Sequence, residues 1–205
     1  VTNAGPPLTG LLLAGGQARR LGGDKALVDL GGRTLLERAG TLALACCDEV
    51  LLLDGERALH LPGLRRLPDL PSVDGPLGGL GAGLAEAKHP WCLLLSCDQP
   101  FISTAVVARL LDRLNATEPQ PLAVVLHDAH GIQPFCGLYH RDLLPELQRR
   151  TAAGERSLRG FLSACEPQGV TLVELDELPA ELAADTLFDV DTPADLAHAR
   201  AVCAS

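Results

Sequence analysis

The 205-residue chain has no apolar run near the roughly 20 residues that a membrane-crossing helix needs, and its opening, VTNAGPP, lacks the charged and apolar regions of a secretory signal. A cytoplasmic protein with no membrane partner is the expectation. Positive charge is also in short supply. Seventeen Lys and Arg face 26 Asp and Glu, giving a net charge of -9 and a pI near 5.0, which argues against a broad nucleic-acid surface because such a surface needs clustered cations. An anionic ligand must then be met by a few local cations. The seven cysteines form no C-x-x-C and have no histidines at zinc-finger spacing, so they read as small core residues and not as a metal or disulfide framework. Lysine is the scarcest cation, with Lys25 and Lys88 against fifteen arginines.

What is present is apolar and regularly arranged. With 47% hydrophobic residues, residues 1–205 can bury one substantial core as a single domain, and no repeat or linker divides them. Strand-length apolar runs alternate with segments of helical period, the pattern of β-α-β units around a mostly parallel sheet. The predicted strands are TGLLLA (9–14), EVLLLD (49–54), WCLLLSCD (91–98), LAVVLH (122–127), FCGLYH (135–140) and VTLVEL (170–175), with LFDVD (187–191) as a last extended piece. Between them fall helices at TLLERAGTLALA, LGGLGAGLAEAKH, TAVVARLLDRLNA with Ser103 as N-cap, DLLPELQRRTAAG and SLRGFLSA. A closing helix is signalled by Thr192 as N-cap, Pro193 in the first turn and Asp195 at the third position.

Two stretches carry chemistry. In LLLAGGQARRLGGDKAL (11–27) a glycine pair follows the first strand directly, which lets backbone N–H groups approach a ligand that side chains would obstruct. Arg19, Arg20 and Lys25 add charge, so the loop suits phosphate; a tight β-to-α turn with solvated arginines is the plainer alternative. A lysine here, in a chain that otherwise uses arginine, points to a need for a compact point charge. The loop is neither a Walker P-loop, since Asp24 precedes Lys25 and Ala26 follows it, nor a G-x-G-x-x-G fingerprint. GGLGAG (78–83) follows a proline loop and reads as a glycine-rich helix entrance. The second stretch is Asp98, just past the most hydrophobic strand, where open α/β sheets bind ligands. A carboxylate there suits Mg²⁺ bound together with substrate phosphates, although Asp98 could also simply begin the turn DQPF.

Taken in order, LAGGQARRLGGDKAL, DGPLGGL, LLLSCDQPF, QPFCGLYH with GERSLRGFL, and FDVDTPADL resemble the molybdenum cofactor guanylyltransferases, from about residue 9 to 199. The resemblance implies a three-layer, Rossmann-like nucleotidyltransferase fold and Mg²⁺-dependent transfer of GMP from GTP to the phosphate of molybdopterin. It implies that Leu13, Ala14, Gly15 and Gly16 line the nucleotide, that Arg19 and Lys25 neutralise the triphosphate, and that Asp98 holds the metal. It further suggests that Asp54 and Asp69 lie in the GTP site, that Asp191 either assists the metal or ends a strand, and that Arg156 and Arg159 grip the pterin phosphate. GERSLR separates those arginines where some relatives have two side by side, and Asp189 and Asp191 stand where relatives often have asparagine. As partners it implies GTP and molybdopterin, with transient contact to other cofactor-biosynthesis proteins or target molybdoenzymes. The alternatives are a cytidylyltransferase on the same pterin, a sugar-phosphate or isoprenoid-precursor nucleotidyltransferase, and a nucleotide-binding regulator without catalysis.

Overall fold

The computed structural model describes residues 5–15, 23–55, 57, 59–67, 75–166 and 169–204. Its strands are β1 (Leu8–Leu13), β2 (Glu49–Leu53), β3 (Arg65–Leu67), β4 (Trp91–Ser96), β5 (Ala123–Asp128), β6 (Gly131–His140) and β7 (Val170–Glu174). The helices are α1 (Leu35–Cys46), α2 (Pro76–Glu86), α3 (Thr104–Ala116), α4 (Leu144–Ala152), α5 (Leu158–Cys165), α6 (Ala180–Ala183) and α7 (Pro193–Ala204). The seven strands make one sheet in the order β3-β2-β1-β4-β6-β5-β7, and β6 alone runs antiparallel to its neighbours. The expected α/β architecture with a mostly parallel sheet is therefore present. None of the described helices is long and apolar enough to cross a membrane.

Alternation along the strands divides the core into two layers. Leu8, Leu12, Leu93 and Leu95 face α1 and α3, whereas Leu11, Leu13, Cys92 and Leu94 face α2, α4 and α5. Burial on both faces is why β1 and β4 read as continuous apolar runs in the sequence. The caps are where the side chains place them: Thr34 and Glu37 form a reciprocal capping box on α1, and Ser103 accepts from Val106 N at α3. Predicted Thr192 and Asp195 bond each other's backbone N–H at α7, Thr192 N to Asp195 Oδ2 at 2.7 Å and Asp195 N to Thr192 Oγ1 at 3.2 Å. The glycines of GGLGAG serve packing: a Cβ at Gly79 would stand 2.6 Å from Leu13 Cδ2, and one at Gly83 would stand 2.5 Å and 2.6 Å from the two Leu11 methyls. Bare glycine thus lets α2 lie close on β1.

LFDVD stays outside the sheet and crosses the carboxyl end of β4, where Val190 N donates to Asp98 O at 3.0 Å. One feature departs from expectation. β6 begins four residues before its predicted start and carries a large bulge. Between the paired couples Val124–Leu138 and Leu126–Gln133, β5 has Val125 alone and β6 has Pro134 to Gly137. Cys136 adopts φ 54° there, a left-handed conformation that costs a non-glycine residue about 1–3 kcal/mol. Compensation comes from the packing of Cys136, which is fully buried, and from the Tyr139 hydroxyl, which donates to Pro134 O at 2.6 Å.

Candidate active site

Strand order reverses between β1, whose chain crosses to β2, and β4, which continues the sheet the other way; the crevice outside their carboxyl ends is where such folds bind ligands. The parallel ladder runs one step past both strands. Ala14 N donates to Leu53 O at 3.0 Å and Cys97 N to Leu13 O at 3.1 Å, which fixes the backbone entering each loop. Leu13 and Ala14 are buried, and Gly15 is exposed at the crevice. A Cβ on Gly15 would meet no atom of the described residues within 4 Å, so their packing does not require glycine there. Gly16 and Arg19 lie outside the described residues, as does Asp69.

Lys25 sits in a short 3-10 turn, Lys25–Leu27, capped by Asp24, whose Oδ1 accepts from Ala26 N at 3.1 Å and from Arg57 Nη1 at 2.6 Å. Its ammonium is almost wholly buried and bridges two carboxylates, Asp98 Oδ2 at 2.7 Å and Asp191 Oδ1. Burial acts to lower the lysine pKa, but the Asp98 charge and the hydrogen bonds to both carboxylates outweigh it, so the ammonium is held more firmly than in water. Asp191, 166 residues away in sequence, is brought here by a separate apolar cluster of Leu30, Leu35, Val190 and Ala199. Its backbone N–H is tied to Asp195 Oδ2 at 3.1 Å.

Sequence reasoning passed over Ser96 and Gln99 and noted Asp189 without giving it a role. Ser96 Oγ donates to Asp98 Oδ1, which orients the carboxylate while its other oxygen faces Lys25. Asp189 opens onto the same cleft. Protein atoms crowded around its carboxyl, then the Asp98 charge, push its pKa up to about 6, and Gln99 opposes this through a side-chain hydrogen bond. Gln99 itself is buried, with Oε1 unpartnered. A serine two residues before the aspartate, and a second aspartate two before Asp191, were the available signals. Two carboxylates thus contact one ammonium, a formal surplus of one negative charge, and Asp189 adds to it through space when ionised.

The other expected site residues fall elsewhere. Asp54 is fully buried: Oδ1 and Oδ2 accept from Arg66 Nε at 2.8 Å and 2.9 Å, and Oδ2 also accepts from Leu59 N at 2.6 Å. Its carboxylate is enclosed and fastens the segment after β2 to β3. Arg156 folds back, its Nη1 donating to Thr151 O and Glu155 O, both at 2.8 Å. Arg159 is exposed on α5 and reaches Gln133 Oε1 at 2.8 Å on the tip of the β5–β6 hairpin, at the carboxyl edge of the sheet.

The described residues hold no group of three or more His, Cys, Asp or Glu side chains arranged to bind a metal by themselves. They do hold two carboxylates, Asp98 and Asp191, converging on the Lys25 ammonium.

Comparison with known proteins gives the family and the fold. Residues 10–170 match the family described as MobA-like NTP transferase domain. A Nostoc protein named probable molybdenum cofactor guanylyltransferase is 37% identical over 194 residues, covering 93% of this chain and 89% of its own length. Among solved structures, molybdopterin-guanine dinucleotide biosynthesis protein A from Archaeoglobus fulgidus superposes with a TM-score of 0.77 at 22% identity, covering 96% of this chain and 98% of that one. A Mycobacterium tuberculosis protein solved in complex with manganese gives a TM-score of 0.66 at 20% identity, covering 95% and 98%.

Proposed function

Because the chain belongs to the MobA-like NTP transferase family, we propose that it transfers GMP from GTP to the phosphate of molybdopterin, forming molybdopterin guanine dinucleotide and releasing pyrophosphate. One observation carries this reading: the Lys25–Asp98–Asp191 cluster stands at the strand-order reversal, directly beside the bare Ala14–Gly15 backbone. Residues 1–205 act as one domain, since β7 completes the sheet beside β5 and α7 packs Ala199 against Leu30 and Leu35.

The attacking group is a phosphate, already anionic at neutral pH, so the protein need not supply a general base. It has to bring two anions into line and stabilise charge on the departing pyrophosphate. The Gly15 and Gly16 amides receive phosphate oxygens of GTP, while Arg19 and Lys25 supply cationic charge. One pterin phosphate oxygen attacks the α-phosphorus, and the bond from that phosphorus to the bridging oxygen breaks as pyrophosphate leaves. Asp98 and Asp191 would hold a Mg²⁺ ion, which when bound offsets the surplus negative charge of the cleft and of the triphosphate. Asp69 accepts from the guanine edge. Arg159 and Arg156 face the acceptor side, with Arg159 the better placed because it is exposed on the carboxyl edge.

The test is direct. Purified protein, Mg²⁺ and molybdopterin are incubated with each nucleoside triphosphate in turn while pyrophosphate is followed. GTP should be preferred; a preference for CTP would instead give the cytidylyltransferase. Asp98→Asn should abolish turnover yet melt within a few degrees of the parent, and full activity in that variant would remove Asp98 from the metal site.

A further inference from the structure

Arg159 does not stand alone on the rim. Its Nη2 donates to Gln133 Oε1 at 2.8 Å, and the other end of the same amide, Nε2, donates to Asp128 Oδ1 at 2.8 Å. Asp128 Oδ1 is itself fixed by His130 N at 2.8 Å, within the tight turn that joins β5 to β6. The result is a three-member chain, carboxylate to amide to guanidinium, anchored in a β-hairpin. The order matters chemically. A carboxylate in direct contact with Arg159 would orient the guanidinium but also neutralise it. A neutral amide placed between them passes on the orientation and leaves the positive charge available.

The bulge explains how Gln133 comes to be there. β6 pairs with β4 only from Gly137 to His140, and the residues before it are turned off the ladder at the left-handed Cys136. Bulges of this kind re-aim a strand beside a functional site. A Cβ at Gly137 would lie 2.9 Å from Val125 Cγ1 and 3.2 Å from Pro134 O, so close backbone approach is built into the turn-off. The hairpin tip therefore leaves the end of β4 open near Asp98 while carrying Gln133 to α5.

We propose that Gln133, oriented by Asp128, is a positioning residue that presents the Arg159 guanidinium to the phosphate of the acceptor substrate. This rests on the reading of Arg159 as an acceptor contact, and the variants separate the two ideas. Steady-state kinetics would vary molybdopterin at saturating GTP, then GTP at saturating molybdopterin. Arg159→Ala should raise the KM for molybdopterin about tenfold with the KM for GTP unchanged, the loss of one charge-assisted contact. Gln133→Ala should raise the same KM about three- to fivefold and leave kcat and the KM for GTP as they were, and the double variant should be no worse than Arg159→Ala alone. Asp128→Asn keeps an acceptor for Gln133 and should behave like the parent. Gln133→Glu keeps the bond to Arg159 but neutralises it, and should be at least as impaired as Gln133→Ala. Arg159→Ala with an unchanged molybdopterin KM would overturn the acceptor reading. Arg159→Ala impaired but Gln133→Ala unaffected, or Gln133→Glu equal to the parent, would overturn the positioning role alone.

Discussion

Replacing Gly15 with alanine separates what the loop after β1 does for folding from what it does for catalysis. The backbone at Gly15 is not in the left-handed region, and a Cβ there would meet no atom of the described residues within 4 Å. Alanine therefore fits the folded state without strain and removes conformations from the unfolded one, a gain of about 0.4–1 kcal/mol. In a domain of this size 1 kcal/mol moves Tm by about 2–4 °C, so the variant should melt about 1–4 °C higher than the parent. In the proposed nucleotide site, the same methyl would stand where a phosphate oxygen is to approach the backbone. A displacement of about 1 Å in the reacting group costs on the order of a hundredfold in rate, so pyrophosphate release should fall by that factor although stability rises. Gly83→Ala is the counterpart, since its Cβ would stand 2.5 Å and 2.6 Å from the Leu11 methyls and 3.0 Å from Leu11 Cγ in a fully buried layer. That change should cost about 1–3 kcal/mol through overpacking while the folded fraction keeps its KM for GTP. A thermal melt and a pyrophosphate assay on both variants suffice. Gly15→Ala that turns over GTP at the parent rate, or melts lower, would refute the idea that open space at this position is reserved for ligand.

Two further outcomes follow from the ion pairs. Asp54→Ala leaves Arg66 and Leu59 N without their shared acceptor and should cost about 2–3 kcal/mol in a urea melt, less than for a pair buried on both sides because over a third of Arg66 is solvated. If Asp54 only fastens β3, the KM for GTP of the folded variant stays within about twofold of the parent, and a larger rise would restore it to the nucleotide site. Glu146 has its pKa lowered to about 2, first by the hydrogen bond from Arg149 and then by that from Arg150. Since the folded-state pKa lies below the unfolded one, the pair contributes stability above about pH 4.5 and loses it as pH falls toward 2. Glu146→Gln should melt lower than the parent at pH 6 and converge with it near pH 2, and parallel curves across that range would contradict the assignment.

The elements that the sequence made plain were those whose signal is local. β1 and β4 are apolar throughout because helices cover both their faces, and the caps at Ser103 and Thr192 announce helices through their own side chains. Lys25 also stood out, as one of two lysines in a chain with fifteen arginines, and the structure holds its charge between two carboxylates. Legibility fails where a residue's meaning depends on a partner far along the chain. Asp54 has the position and chemistry of a ligand residue, and nothing near it in sequence reveals that Arg66 will occupy both of its oxygens. FDVD has the composition of a strand, but its role is set by Val190 bonding to the Asp98 carbonyl from a segment 92 residues away.

The same limit explains why the acceptor side was harder to read than the nucleotide side. The proposed nucleotide loop and Asp98 directly follow strands joined by a continuous parallel ladder, so a pattern of strands locates the crevice between them. Arg159 lies on α5 and takes its direction from a hairpin whose path depends on four bulged residues, Pro134 to Gly137, opposite a single valine. No periodicity encodes that offset: a strand that slipped back into regular pairing would turn alternate side chains to the other face and withdraw Gln133 from Arg159. On the proposed function, the chemistry for GTP thus rests on regular structure and the grip on the second substrate on an irregularity. Substitutions that relax the bulge should accordingly change molybdopterin use before they change nucleotide use.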